Sequence, residues 1–128
     1  MKIQKYTLIF YVACFFLFSI PAFFFPDWFA FQLGYKFNRQ GALMEFMGAY
    51  GGLILGIGIY LIYCLKNNIK AGLVCVLAVI ASLFMGRAIG YAVEQEINNI
   101  QVTFLVIELI TMFLISGLLY FGSIQREA

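Results

Sequence analysis

The chain has 128 residues, 64% of them hydrophobic and only 11% charged, with a formal net charge of +2 and a mean hydropathy of +0.97. About a quarter of the residues of an ordinary soluble domain are charged, so composition excludes that class and points to an all-α integral membrane protein. The few cations lie in short loops without forming a basic patch, which speaks against a nucleic-acid partner.

Lys2 and Lys5 precede an apolar run over 6–25, interrupted only by Ser19 and Pro21. A spanning helix needs roughly 20 such residues, so this run is the first predicted span. Ser19 to Ala22 resembles the end of a signal peptide, but three phenylalanines follow where a cleavage site favours small residues. An uncleaved signal anchor is therefore expected.

Pro26 closes that run and opens a segment in which Trp28, Phe29, Phe31, Tyr35 and Phe37 mix with Asp27, Lys36 and Arg39. Aromatic residues beside charges suit the bilayer interface. Phe29, Leu33 and Phe37 share a face if the segment is helical, whereas Phe29, Phe31, Leu33, Tyr35 and Phe37 alternate if it is extended. A short interfacial helix is the expectation, because a strand here has no partner for its backbone groups.

The second predicted span covers 43–65 and is crowded with glycine: Gly48, Gly52 and Gly56 recur at every fourth position. That spacing lines one side of a helix and lets another helix approach closely. Glu45 lies seven residues before Gly52 and eleven before Gly56, which places the acid at the head of the same face.

After the short polar turn 66–70 the third span covers 71–93, where Ser82, Gly86 and Gly90 repeat the four-residue spacing with Arg87 among them. So short a turn predicts antiparallel neighbours, with the two small-residue seams packed on each other. The acidic loop containing Glu94 and Glu96 leads to the fourth span, 101–121. On that helix Gln101, Glu108 and Thr111 fall on one face with Ser116 close to it, a polar stripe. The expected architecture is thus a single domain over 1–128: four transmembrane helices in an antiparallel bundle, with a short interfacial segment between the first two.

Lys2, Lys5, Lys66, Lys70 and Arg126 fall on one side of such a bundle, and only Lys36 and Arg39 on the other. The excess places both termini of a multi-pass membrane protein in the cytoplasm. Glu45, Arg87 and Glu108 then share the outer leaflet, Glu108 deepest at about 10 Å along the fourth helix. An unpaired charge in lipid costs about 2.5–3.5 kcal/mol on insertion scales, so the three form a candidate buried charge cluster. One arginine between two acids can staple three helices, and a surplus negative charge can take a proton or a cation.

Cys14, Cys64 and Cys75 lie in or beside apolar runs, with no paired spacing and no histidine in the chain. They read as small hydrophobes, and no metal site or cofactor is expected. A serine elbow, a phosphate-binding glycine loop and a metal-ligand spacing are also missing from the sequence. No catalytic residue is assigned and the chain reads as a non-enzyme.

The run from Asn38 to Ile62, NRQGALMEFMGAYGGLILGIGIYLI, followed by Met85-Gly86-Arg87-Ala88-Ile89-Gly90, resembles a bacterial family of small four-helix membrane proteins known as domain of unknown function 4345. The shared features are an acid opening the second helix, the Tyr50-Gly51-Gly52 step and a Gly-Arg-x-x-Gly step late in the third. The resemblance implies four spanning helices and no activity. Two functions fit these readings, the first the expected one and the second its alternative. One is a scaffold or accessory subunit that docks, through its glycine seams, to a second copy or a larger membrane complex. The other is a small transporter or lipid-binding protein that uses Glu45, Arg87 and Glu108. Apart from the lipid bilayer, the expected partners are proteins.

Overall fold

The computed structural model describes residues 2–127, with side chains described for 2–122. Arg126, counted among the cations above, lies outside the described side chains, and Met1 and Ala128 lie outside the described residues. All regular structure among the described residues is helical. Four helices are long and apolar enough to cross a membrane, with mean hydropathy from 1.8 to 2.3 in their most apolar windows.

The first, α1 (Lys2–Phe24), carries Pro21 within its last turn. Proline has no N–H to donate and ends helices in its neighbourhood; the chain bends at Phe25, and Pro26 then occupies the first turn of α2 (Pro26–Gln32). The aromatic segment is therefore helical only over seven residues. Gly34, at φ +87°, turns the chain out of α2, and the Tyr35 N–H donates to Ala30 O across that turn at 2.8 Å.

Gly41, at φ +86°, opens the second long helix. It has three parts: α3 (Ala42–Phe46), a π-helical stretch over Met47–Leu53, and α4 (Ile54–Asn67). Asn68 interrupts the chain for one residue, and its side-chain oxygen accepts from the Ala71 N–H at 3.0 Å, capping α5 (Ile69–Glu94). Gln95 ends α5 in the left-handed conformation, φ 57°. Asn98 and Gln101 then form a reciprocal cap: the Gln101 N–H donates to Asn98 Oδ1 at 2.8 Å and the Asn98 N–H to Gln101 Oε1 at 3.1 Å. This cap starts α6 (Asn99–Glu127).

Two apolar cores hold the helices together. Leu8, Phe15, Leu61, Cys64, Leu73, Val76 and Ile115 form the larger. Ala22, Phe29, Ala30 and Phe46 form the smaller, with Phe18, Leu33, Phe37 and Tyr50 packed around it. Phe29 of α2 is thus tucked against α1 and α3, while Trp28 and Phe31 on the same short helix are exposed. At the first core Gly72 lies against Leu8 and Cys64, and the Gln4 side chain donates to Leu118 O at 2.9 Å. At the second, Gly51 lies against the Phe23 ring and Phe18 meets Phe104 edge to face. Only 17–28% of each apolar window is buried inside the molecule. The outward faces carry many exposed large apolar side chains, among them Phe10, Leu17, Ile59, Ile89, Ile110 and Phe113, which water does not favour.

The glycine contacts differ from the expected seams. A Cβ at Gly48, Gly52, Gly56, Gly86 or Gly90 would meet nothing within 4 Å, and Ser82 is exposed, so the two stripes do not pack on each other. Gly51 and Gly58 face α1 instead, against Phe23 and Phe16. Spacing reports which residues share a face and not which face a neighbour takes: Gly51 and Gly58, seven residues apart, share the face that meets α1, while Gly86 and Gly90, on an uninterrupted α-helix, border a cleft.

Candidate functional site

Helix α5 packs along α6, while the π-helical stretch packs on α1. A cleft of about 320 Å³ lies where these helices part. Ser82, Gly86, Arg87 and Gly90 line it from α5, Gln101, Phe104 and Leu105 from α6, and Tyr35 and Tyr50 from the opposite wall. The stripe of small residues on α5 leaves room for a cavity. Ser82 adds no free hydroxyl, since it donates to Ala78 O at 2.8 Å.

Arg87 is the charged centre of the cleft. Its Nη1 is ion-paired with Glu108 Oε1 of α6, and its guanidinium lies 5.0 Å from the centroid of the Phe104 ring, within cation–π range. Glu108 is 5% exposed and sits one turn behind Phe104 on α6, so it anchors the arginine from behind. Its second oxygen, Oε2, is buried without a hydrogen-bond partner. A buried carboxylate oxygen left unpaired is costly, which makes the pair dependent on keeping its geometry. Three residues further on, Thr111 is buried and accepts from the Tyr11 hydroxyl at 2.9 Å. Gln101, Glu108 and Thr111 do share the inward face of α6, which continues through buried Ile115, whereas Ser116 is exposed.

Across the cleft the Tyr35 and Tyr50 hydroxyls are hydrogen-bonded at 2.7 Å. Tyr50 stacks on Phe46 at 4.7 Å between centroids and meets Phe29 edge to face, so the aromatic core fixes its ring. Glu94 and Glu96, both exposed, close the outer rim together with Tyr91 and Ile97.

Of the three residues in the predicted charge cluster, the structure brings two together. Glu45 is exposed in the first turn of α3, and Arg87–Glu108 is the single ion pair within 4 Å among the described residues. The first turn of a helix suits a carboxylate through the helix dipole, which accounts for an acid there without a cationic partner. Tyr35 and Tyr50, known from the interfacial segment and the Tyr-Gly-Gly step, were not expected at the site, and neither was Phe104. Tyr50 carried a local signal, the aromatic Phe46–Tyr50 pair one turn apart; Tyr35 meets it through a loop, and no spacing rule reports such a contact.

The chain belongs to the family described as a domain of unknown function, DUF4345, whose model matches residues 3–119. No curated protein and no solved structure matches it.

Proposed function

We propose that this family member is a non-enzymatic multi-pass membrane protein that holds a small polar-headed ligand in the cleft between its second, third and fourth spans, as a lipid-handling or small transport protein does. One observation carries the reading: the Arg87–Glu108 pair stands beside a cavity. A pair that serves only to staple helices is best enclosed by packed side chains, whereas here the arginine borders open space while its partner acid is buried. Arginine has five donors in a fixed fork, so fastening one side to Glu108 leaves others for a ligand. Tyr35, Tyr50 and Gln101 add polar groups on the facing walls. That composition, mostly apolar with a few convergent polar groups, is that of a small-molecule site. With no histidine in the chain, the reading invokes binding and no covalent step.

The four long helices lie antiparallel across a bacterial inner membrane in this proposal, with both termini cytoplasmic. The contacts of Leu8 with Gly72 and of Gln4 with Leu118 support that alternation, and the bias of Lys2, Lys5, Lys66 and Lys70 over Lys36 and Arg39 supports the orientation. The cleft then opens in the outer leaflet.

Filling the cleft tests the reading. Gly86→Leu places a side chain where a Cβ meets nothing within 4 Å, and leucine favours a helix over glycine by roughly 1 kcal/mol, so the variant folds. Purified in mild detergent and analysed by native mass spectrometry, the wild type is expected to carry a bound amphiphile that Gly86→Leu lacks. Equal occupancy in the two proteins contradicts the proposal.

A specific observation favours a second role. Gly48, Gly52 and Gly56 form an open stripe on the second span, and small residues four apart commonly seat another helix in a membrane. Docking to a second copy of this chain, or within a larger membrane complex, uses that face and leaves the cleft free. Gly52→Leu is expected to convert a dimer into a monomer by mass photometry at matched concentration; an unchanged mass distribution removes this role.

A further inference from the structure

We infer that the cleft selects a zwitterionic headgroup, an anionic phosphate or carboxylate joined to an ammonium, with the anion at Arg87 and the ammonium at Glu94 and Glu96. This inference rests on the binding role proposed above and narrows it to a ligand class. The charges lining the cleft are one cation and two acids, segregated along its depth: Arg87 is held inward by Glu108, while Glu94 and Glu96 stand at the exposed rim. Arg87 and Glu94 lie on the same helix, seven residues apart, about 10 Å of axial rise, a separation that an extended zwitterionic headgroup has to span.

A simple anion must pass two carboxylates to reach the arginine, and a simple cation that passes them meets the guanidinium. Like charges brought together at a binding surface oppose the wrong partner, and complementary ones fix the orientation of the right one. A zwitterion with its anion leading satisfies both ends. The Tyr35 and Tyr50 hydroxyls line the wall facing Arg87, and because one donates to the other, the remaining O–H of the pair is free to donate to the anion; Tyr91 lines the rim near Glu94. Leu83 and Leu105 line the apolar wall, against which an acyl chain would lie. The chemistry fits a phospholipid headgroup or a soluble amine phosphate alike.

The test is native mass spectrometry of the purified protein offered equimolar phosphatidylethanolamine and phosphatidylglycerol, with and without excess free O-phosphoethanolamine. The variants are Glu94→Gln with Glu96→Gln, Arg87→Lys and Gly86→Leu. Retention of the ethanolamine lipid at least about fivefold over the glycerol lipid is expected, since a charge-assisted hydrogen bond at the rim supports a difference of that order. Both glutamates are exposed, so their double replacement leaves the fold intact and is expected to erase the preference while some lipid stays bound. Arg87→Lys keeps the charge and loses the fork, and is expected to weaken retention of both lipids. Displacement by O-phosphoethanolamine identifies a soluble ligand, and resistance to it identifies a lipid; either upholds the charge pattern. Equal retention of the two lipids, or a preference that survives in the double glutamine variant, overturns this inference. If that lipid is nevertheless lost in Gly86→Leu, the binding role stands without it; if no lipid or phosphate is retained at all, both fall.

Discussion

Replacing Arg87 with alanine is expected to destabilise the protein by about 3–5 kcal/mol, the usual cost of removing one partner of a buried ion pair. Glu108 has no alternative counter-charge within 4 Å among the described residues, and its Oε2 already lacks a hydrogen-bond partner. The variant therefore buries a carboxylate with neither oxygen paired. The double replacement Arg87→Met with Glu108→Leu removes both charges and is expected to recover most of that loss, because an apolar pair of similar volume commonly replaces a buried salt bridge at little cost. Unfolding of the two variants and the wild type in mixed micelles measures the difference. A single variant as stable as the wild type would show that the pair contributes nothing to the fold. The double variant also separates stability from binding: it is expected to fold yet to bind no ligand, because the fork of donors is gone.

The second large effect is expected at Gly72. A Cβ built there lies 2.6 Å from Leu8 Cδ2 and 2.9 Å from Cys64 Cβ, well inside van der Waals contact, and both neighbours are fully enclosed in the larger core. Leu8 can swing its terminal methyl, but the Cys64 Cβ is fixed by its own backbone. Gly72→Leu therefore forces α4 and α5 apart near their shared turn, with an expected loss at the upper end of the about 1–3 kcal/mol typical of overpacking. Gly56→Leu is the control, because nothing lies within 4 Å of its Cβ; it is expected to leave monomer stability unchanged or slightly raised. The same unfolding experiment reads both. Equal losses at Gly56 and Gly72 would contradict the placement of the close contacts.

These two glycines show what the sequence carried and what it did not. The long apolar runs mark four helices because length and hydropathy are local properties, and the structure has four helices of that kind. The polar stripe on α6 was also legible, since Gln101, Glu108 and Thr111 lie on an uninterrupted α-helix whose periodicity holds. On the second span the same arithmetic failed. The glycines against α1 are Gly51 and Gly58, on a different side from Gly48, Gly52 and Gly56, and which side of a glycine-rich helix meets its neighbour is set by tertiary packing that a local repeat does not encode. Gly72 sits in the polar-to-apolar transition after Asn68, where no repeat announces it; its role comes from Leu8, 64 residues earlier in the chain. Arg87 and Glu108 stood out because a charge within an apolar run demands a partner. Glu45 stood out for the same reason, but the first turn of a helix already suits an acid. The aromatic segment was ambiguous between helix and strand by periodicity; α2 ends after seven residues because Gly34 turns the chain, and Tyr35 thereby reaches Tyr50.

Whether an open cleft faces the outer side of the membrane is tested most directly by cysteine accessibility at Gly86. In intact cells or spheroplasts, Gly86→Cys is expected to react with a membrane-impermeant maleimide added outside. Cys64, buried in the core, and Cys14 and Cys75, half-buried on α1 and α5, give the baseline. Reaction well above that baseline, slowed when a ligand occupies the cleft and abolished when Leu83→Trp fills the neighbouring wall, is the predicted result. A thiol in the Gly86→Cys variant as unreactive as Cys64 would mean that the second and third spans close on each other through their glycines, and would contradict the cleft on which the account rests.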